Sequence, residues 1–355
     1  MKDRLNIDEL TQQLGWDESA IGLNRNAIES ELHEREQAQS LPIKILSIFG
    51  GMMASTTFSG FLFTLGIFDN ESTLLVFGLL FLIGSIIFSR KVNTMLLDTI
   101  CVSTLLIGFI LFGISLEQFH LADATYLLII CSLATICIKL VRNYIMIFVL
   151  IFIACGTLLG AIVELGYHQL AQLYIPAIGI LLAYLYLKEG KIISQRNFLS
   201  TRYNPIRTAL TFCLLFGLAF LTFDEHSSLY NFFSWAGSII FIALCFVILH
   251  RILEVLSISK RKNRFLLYLL SLCCLLPCIL YPALSGAIFL ILASFLVNYK
   301  TGFVLGILFL CYAVSRFYYD LDLTLLTKSI IMMVSGAFFL ILYFVSLKIS
   351  SHEKN

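Results

Sequence analysis

Residues 143–163 read NYIMIFVLIFIACGTLLGAIV, an apolar run with Arg142 immediately before it and Glu164 immediately after it. A run of about 20 apolar residues is long enough to cross the ~30 Å hydrocarbon layer of a bilayer as an α-helix. Only α-helices and closed β-barrels satisfy their backbone polar groups in lipid, and this run lacks the alternation of a barrel strand. The stretch therefore predicts a transmembrane helix and an all-α fold.

Similar runs recur along most of the 355-residue chain, which is 59% hydrophobic and only 13% charged. A soluble domain carries roughly 25% charged residues, so the composition excludes a soluble protein. We predict a polytopic transmembrane helix bundle of about twelve membrane helices, with the count most open at the tight turn Tyr281–Pro282 and at the short eleventh segment. The predicted segments are 43–68, 72–89, 94–116, 124–140, 143–163, 170–187, 206–223, 232–250, 265–281, 282–298, 302–316 and 325–347.

The Lys and Arg residues are distributed very unevenly between the predicted loops. With the N-terminus in the cytoplasm, all but two of the 24 basic residues fall in inward segments, and the exceptions are Arg316 and Lys328. Cytoplasmic loops of membrane proteins are enriched in Lys and Arg, and this bias sets the orientation. The pattern predicts that both termini are cytoplasmic (N-in/C-in) and that the first membrane helix serves as an uncleaved signal anchor.

The chain is predicted to divide into three parts. Residues 1–40 form a soluble, acidic pair of helices that either covers the inner face of the bundle or binds a partner. Residues 41–348 form the multi-pass transmembrane domain, and residues 349–355 form a cytosolic tail. The basic loops 188–207 and 257–264 face anionic lipid headgroups in this topology. We therefore predict the lipid bilayer as their partner, and no nucleic acid.

Residues that could carry chemistry are scarce. The chain has no phosphate-binding glycine loop, no HExxH and no GxSxG motif. The cysteines all lie in apolar segments without CxxC pairs, which favours buried thiols over disulfides or zinc ligands. His120, Asp123, His168 and the stretch 224–226 come from separate outward loops without ligand spacing, so we predict no metal site. We also predict no enzyme activity and no cofactor.

Two carboxylates stand out from the apolar background. Asp98 lies about one turn inside the third segment, where a charge is costly in lipid. It is either a gate or ion ligand, or a carboxylate that reaches the inner interface or pairs with Arg90 or Lys91. Glu164 ends the fifth segment on the helix face that carries glycines four apart, which predicts a packed position. There it is either a partner for Lys328 or a simple carboxylate at the outer interface.

The most concentrated polar stretch is RFYYDLDLTLLTKS, residues 316–329, on the predicted outer side. Arg316 and Asp320 are four residues apart, which is the spacing of an intrahelical ion pair. Asp322 is suited to cap the N-terminus of the last helix. Tyr318 and Tyr319 are typical of an interfacial aromatic belt. The stretch is either a well-anchored hairpin turn or an outward polar pocket that receives an anionic group. The candidate binding residues are Arg316, Tyr318, Tyr319, Asp320, Asp322, Lys328 and Glu164.

Part of this stretch, FYYDLDLTLLTKS (317–329), followed by Ser335–Gly336, resembles the C-terminal signature of a bacterial membrane family, domain-of-unknown-function family 4401. The start of the first segment, LPIKILSIFGGMMASTTFSGFLF (41–63), is similar to the opening of that family. The resemblance covers residues 41–348 and is specific at these two ends. It implies a multi-pass protein of the bacterial cytoplasmic (inner) membrane, and it transfers no catalytic residues.

Two functions of different classes fit these features. The first is a carrier for a small or amphipathic solute, favoured by the number of helices and by their six-plus-six layout around the longest inner loop. The second is a non-transporting scaffold or assembly partner of another envelope protein, favoured by the shortage of polar residues inside the membrane. A polar-lined cavity near mid-membrane would support the carrier, whereas a solidly packed core would count against it.

Overall fold

The computed structural model describes residues 70–90, 95–120, 122–194, 198–223, 232–255 and 261–320, together with scattered positions in 50–64 and 326–340. These residues are almost entirely helical, and none of them lies in a β-strand. The predicted cytosolic segment 1–40 and tail 349–355 lie outside the described residues, as do Asp322 and Lys328.

Short connections join the helices of the described chain. In chain order the helices are α1 Glu71–Ser89, α2 Met95–Gln118, α3 Asp123–Leu140, α4 Tyr144–Glu164, α5 His168–Leu187, α6 Glu189–Ser194, α7 Phe198–Thr201, α8 Tyr203–Phe223, α9 Phe232–Val255, α10 Arg261–Leu275, α11 Pro282–Leu296 and α12 Lys300–Asp320.

Helices occupy the predicted segments from the second to the eleventh. Eight of the described helices are long and apolar enough to cross a membrane, which identifies a multi-pass integral membrane protein. A 3₁₀ turn, Leu276–Leu280, connects α10 to α11. A continuous α-helix is disfavoured here, because Pro277 and Pro282 have no backbone N–H to donate. The eleventh predicted segment, 302–316, is longer than expected, since α12 continues to Asp320. The total of twelve membrane helices and their orientation stay predictions.

Two asparagines begin helices by bonding backbone donors that have no partner within the helix. The side chain of Asn70 accepts from the N–H of Ser72 (3.1 Å) at the start of α1. The side chain of Asn143 accepts from the N–H groups of Ile145 (2.9 Å) and Met146 (3.3 Å) at the start of α4. Each N-cap satisfies backbone donors that have no partner within the helix.

A residue with left-handed backbone conformation follows α2, α4 and α11, and after α2 it is His120, with φ of 53°. The turns after α4 and α11 share one hydrogen-bond pattern. Gly166 follows α4 with φ of 77°, and the N–H of the next residue bonds the carbonyl of Ile162 at 3.2 Å. Asn298 follows α11 with φ of 54°, and the N–H of Tyr299 bonds the carbonyl of Ser294 at 2.8 Å. Both turns are Schellman motifs, which satisfy the last carbonyls of a helix and reverse the chain within a few residues.

Helices α5 and α8 lie at the centre of the described bundle, where 56% of each membrane window is buried. Helix α8 packs against α4 and α5, and α9 packs against α5 and α11. The hairpin α1–α2 joins this centre through α3 and α4, and the hairpin α11–α12 joins it through α8 and α9. One continuous apolar core runs through these helices, and Phe241 and Phe289 are fully buried within it.

Glycines mark the closest helix approaches. A Cβ atom added to Gly78 of α1 would lie 2.9 Å from the backbone nitrogen of Phe112 in α2. A Cβ atom added to Gly306 of α12 would lie 2.8 Å from the side chain of Ile291 in α11. Small residues at such positions let two backbones approach in lipid, as the spacing of glycines in the eleventh predicted segment suggests.

The predicted packed face of α4 is confirmed only at Gly160, where an added Cβ atom would lie 3.4 Å from the side chain of Leu127 in α3. Gly156 has open space where its Cβ atom would lie, and Glu164 is exposed. The buried face of α4 instead carries Ile147, Leu150 and Ala154. Spacing alone misled the prediction because glycines four apart occur on lipid-facing as well as on packed surfaces.

The contact at Gly78 predicts a matched pair of variants within α1. Gly78→Ala should destabilise the protein by about 1–3 kcal/mol, because the new methyl group meets backbone that cannot rotate away. Gly84→Ala, on the same helix with nothing within 4 Å of its Cβ position, should leave stability unchanged or raise it slightly. The thermal midpoint of each purified variant in detergent is the measurement. Equal midpoints for the two variants would contradict the close approach of α1 and α2.

Candidate functional site

Two arginines from distant parts of the chain bond the carbonyl end of α3. Arg90 donates to the carbonyl of Leu140 at 2.6 Å, and Arg202 donates to the carbonyl of Val141 at 2.6 Å. Cations are favoured at a helix C-terminus, where carbonyls lack partners. Burial and the neighbouring Arg142 lower the pKa of Arg202, although a guanidinium stays protonated at neutral pH. These contacts bring predicted inward loops together at one end of the bundle.

The same end of the bundle holds a group of polar side chains that we call the Arg207 cluster. It combines the start of α4, the end of α5, the short helix α6, the start of α8 and the turn between α11 and α12. Polar groups at this depth are costly unless they satisfy one another. The members of the cluster are Tyr144, Tyr186, Glu189, Tyr203, Asn204, Arg207, Thr208, Thr211 and Tyr299.

Arg207 is the charged centre of this cluster, and its side chain is only 16% exposed. Its guanidinium donates to the carboxylate of Glu189 at 3.3 Å and to the side-chain oxygen of Asn204 at 3.2 Å. The guanidinium carbon also lies 4.3 Å from the ring centroid of Tyr299 and 5.3 Å from that of Tyr203. The positive charge is thus stabilised by a carboxylate and by two aromatic faces. Removing either ion would leave the other partly buried without compensation.

Hydroxyl groups extend the cluster across several helices. The hydroxyls of Tyr144 and Thr208 are 2.9 Å apart, and those of Thr208 and Tyr299 are 3.3 Å apart. The hydroxyl of Tyr186 lies 3.4 Å from that of Thr211. Each hydroxyl can donate or accept, so the chain of contacts can be satisfied in either direction. These bonds hold α4, α5, α8 and the α11–α12 turn together at this end.

An open pocket of about 600 Å³ adjoins the cluster at Tyr299, and we call it the Tyr299 pocket. It lies at the turn between α11 and α12. Its volume falls within the ~300–1,000 Å³ typical of small-molecule sites. The mixture of polar and apolar groups around it suits an amphipathic ligand. The lining residues are Ser294, Phe295, Asn298, Tyr299, Lys300, Phe303 and Val304.

The candidate stretch predicted from the sequence begins at the other end of α12. Arg316 and Asp320 lie on one helix, as the ion-pair hypothesis requires, but the side chain of Asp320 lies outside the described part. The guanidinium of Arg316 lies 5.3 Å from the ring centroid of Phe223, a contact that the sequence did not predict. The rings of Tyr318 and Tyr319 are 5.7 Å apart. The ion pair and the anion pocket at this end stay predictions.

The two isolated carboxylates have different surroundings. Glu164 is exposed at the end of α4, and its predicted partner Lys328 lies outside the described residues. The carboxylate of Asp98 lies near the side chain of Asn143, the same residue that begins α4. Arg90, one of the partners predicted for Asp98, donates to the end of α3. The predicted gate or ion-ligand role of Asp98 stays a prediction.

The middle of the described bundle is a packed core. The rings of Phe241 and Phe289 lie 5.9 Å apart within it. A cavity of about 80 Å³ lies between α4, α5 and α8, where the hydroxyl of Tyr174 donates to the carbonyl of Cys155 at 3.1 Å. The cysteines of the described chain are free thiols. Within this same part of the chain, no three His, Cys, Asp or Glu side chains gather as metal ligands.

Sequence reasoning missed the Arg207 cluster because it treated Arg207 only as an inward charge that sets orientation. A signal was present. Tyr203, Arg207 and Thr211 are four residues apart, so they share one face of a helix. The predicted start of this helix at residue 206 hid the pattern, since α8 begins at Tyr203. The partners from α6 and from the α11–α12 turn have no local signal at all.

The ion pair at the centre of the cluster predicts a coupled response to substitution. Arg207→Gln and Glu189→Gln should each destabilise the protein, and the double variant should lose less than the sum. We expect a coupling of about 1 kcal/mol or more, because the partly buried charges depend on each other. Thermal or denaturant unfolding of the four proteins of the cycle measures this coupling.

The pair Arg251–Glu254 is the control for that cycle. Its atoms are closer, at 2.9 Å, but its side chains are 58% and 42% exposed. Exposed pairs of this spacing contribute only about 0.3–0.5 kcal/mol. A coupling at Arg207–Glu189 no larger than that of the control would show that the cluster does not depend on its ion pair.

Comparison with known families gives one match. A family model described as Domain of unknown function (DUF4401) matches residues 40–349. Comparisons with curated proteins and with solved structures find no match. The matched range includes both the Arg207 cluster and the predicted outer stretch, and it agrees with the range 41–348 over which the resemblance extends. The chain therefore belongs to the DUF4401 family of domains of unknown function.

Proposed function

We propose that this protein is a carrier for a small or amphipathic solute in the bacterial inner membrane. The observation that supports it is the Tyr299 pocket, which combines polar groups with an apolar wall at one end of the bundle. An amphipathic molecule needs both kinds of surface at once, and binding pockets commonly pair an apolar lining with a few polar groups.

The position of α12 suggests the route that such a solute would take. Its membrane window is only 17% buried, the lowest share among the eight spans of the described chain. The centre of the bundle is packed, so an amphipathic solute would move along the α11–α12 flank with its apolar part in lipid. Movement of α12 relative to α11 would disturb far fewer buried side chains than an opening at α5 or α8.

The second candidate function is a non-transporting scaffold or assembly partner of another envelope protein. The observation that favours it is the packed core, in which Leu214, Phe241 and Phe289 are fully buried. A packed centre suits a structural role, because the described helices bury their central side chains against one another. In that case the partners are the lipid bilayer and another membrane or envelope protein. Neither candidate requires a catalytic residue, a cofactor, a metal or nucleic acid.

For either function we propose twelve membrane helices with both termini in the cytoplasm. The distribution of Lys and Arg supports this orientation. The contacts of Arg90 and Arg202 with the end of α3 also support it, because they gather predicted inward loops at one end.

The orientation predicts the activity of reporter fusions. Green fluorescent protein fused after Ser194 should fluoresce, because that loop is cytoplasmic in the proposed topology. Alkaline phosphatase fused after Gly166 should be active, because that turn faces the opposite compartment. Exchanging the two reporters at the same sites provides the control, and both exchanged fusions should be inactive. The reverse pattern would show that the N-terminus is not cytoplasmic.

The carrier predicts that the purified protein moves a labelled amphiphile between leaflets. Full-length protein in liposomes should move fluorescent lipid from the inner to the outer leaflet, where external dithionite quenches it. We expect this for an anionic and for a zwitterionic labelled lipid. Val304→Trp should slow this movement at least about tenfold, because the indole fills part of the Tyr299 pocket and each 1.4 kcal/mol of lost interaction is a factor of ten. The time course of fluorescence loss is the measurement.

Val314→Trp is the matched control for that experiment. Val314 lies on the same helix and is 44% exposed, but it does not line the pocket. This variant should retain the rate of the unmodified protein. Loss of only the outer-leaflet signal in every sample would count against the carrier and in favour of the scaffold.

A further inference from the structure

The floor of the Tyr299 pocket is the beginning of a helix. Lys300 is exposed and is the first residue of α12, and the first hydrogen bond of the helix joins the N–H of Phe303 to the carbonyl of Tyr299 at 3.0 Å. The N–H groups of residues 300–302 precede that bond. The positive end of a helix and its unbonded N–H groups together favour an anion, and phosphate above all.

Ser294 gives an independent indication of a ligand in the same place. It is fully buried, its side chain lines the pocket, and its hydroxyl makes no hydrogen bond within the described structure, although Tyr186 lies nearby. A Cβ atom added to Gly302 would lie 2.6 Å from this hydroxyl, so Ser294 faces the first turn of α12. A buried hydroxyl without a partner is costly, and a ligand oxygen would relieve that cost.

The charges around the pocket are favourable for an anion. The nearby carboxylate of Glu189 is already bonded to Arg207, and that guanidinium stacks on Tyr299 from the cluster side. The ammonium of Lys300 adds a positive charge at the rim of the pocket. These groups leave a positive site at the depth of the predicted cytoplasmic interface, where anionic lipid headgroups lie.

The apolar side chains that line the pocket indicate that the anion is part of a larger molecule with an apolar portion. Phe295 and Val304 line the pocket and are 59% and 54% exposed, so they face the region that lipid chains occupy. A free anion would gain nothing from these side chains, whereas acyl chains would cover them. In a bilayer these side chains contribute mainly by packing against the acyl chains.

We propose that the Tyr299 pocket binds the phosphate group of an anionic phospholipid, with the phosphate at the start of α12 and the acyl chains along Phe295 and Val304. This inference rests on the proposed function in one respect, since it names the class of amphiphile for the same pocket. It holds whether the bound lipid is transported or stays in place.

Native mass spectrometry of the full chain in detergent tests the proposal with three probes. Phosphatidylglycerol supplies the phosphate and the chains, diacylglycerol supplies the chains alone, and inorganic phosphate supplies the anion alone. We expect phosphatidylglycerol to bind, diacylglycerol to bind at least about tenfold more weakly, and inorganic phosphate not to displace the lipid at equal concentration. A charge-assisted contact of about 1.5–3 kcal/mol corresponds to a change of roughly tenfold or more.

Three variants locate the site. Lys300→Gln and Ser294→Ala should each weaken the binding of phosphatidylglycerol, Lys300→Gln by about tenfold. Lys191→Gln, an exposed residue at the same end of the bundle, should bind as the unmodified protein does. Thermal midpoints without lipid show whether each variant is folded. A further variant, Asn298→Gly, keeps the left-handed turn and removes the side-chain amide from the pocket.

The outcomes separate this inference from the carrier function. Equal binding of diacylglycerol and phosphatidylglycerol, or unchanged binding by folded Lys300→Gln, would overturn the phosphate site. Displacement by inorganic phosphate at equal concentration would overturn the lipid assignment, because the site would then take the free anion. Lipid binding without movement of labelled lipid would overturn the carrier alone, and movement without a Lys300-dependent site would overturn this inference alone.

Discussion

The core of a bilayer offers no hydrogen-bond partner to a backbone N–H or C=O group, and this constraint governs where polar residues lie in the protein. Asn70 and Asn143 satisfy the first N–H groups of α1 and α4. Arg90 and Arg202 satisfy the last carbonyls around the end of α3. These polar side chains thus lie at helix ends, which makes the ends the places where a polar ligand group can find partners.

The turn at Asn298 links this constraint directly to the candidate site. Because Asn298 has a positive φ, the chain reverses at once and the N–H of Tyr299 bonds the carbonyl of Ser294. Helix α12 then begins at Lys300, with its positive end beside the buried hydroxyl of Ser294. The same turn that ends α11 places an aromatic ring against the guanidinium of Arg207. The Schellman turn at Asn298 therefore ends α11, positions Tyr299 in the Arg207 cluster and forms part of the Tyr299 pocket.

Most of the helical architecture could be predicted from the sequence, because hydropathy and helix length are local properties. The segments from the second to the eleventh are helices, and family membership follows from residues at both ends of the chain. The exposure of Glu164 could not be predicted from its position after Gly156 and Gly160, since glycine spacing does not say which face of α4 meets another helix. The Arg207 cluster could not be predicted either. Arg207 and Tyr299 are far apart in sequence, and only the packing of α8 against the α11–α12 hairpin brings them together.

The contrast between the centre and the edge of the bundle narrows the mechanisms open to a carrier. An opening at the centre would separate α5 and α8, whose membrane windows are 56% buried, and would break the packing of fully buried side chains such as Ile175, Leu182 and Leu214. Loss of the packing of one such aliphatic side chain costs about 2–5 kcal/mol. Helix α12 loses much less on moving, because its window is 17% buried. If the protein is a carrier, that edge suits a solute that stays in contact with lipid better than a fully hydrated solute. The packed core therefore argues against a polar substrate more strongly than against transport itself.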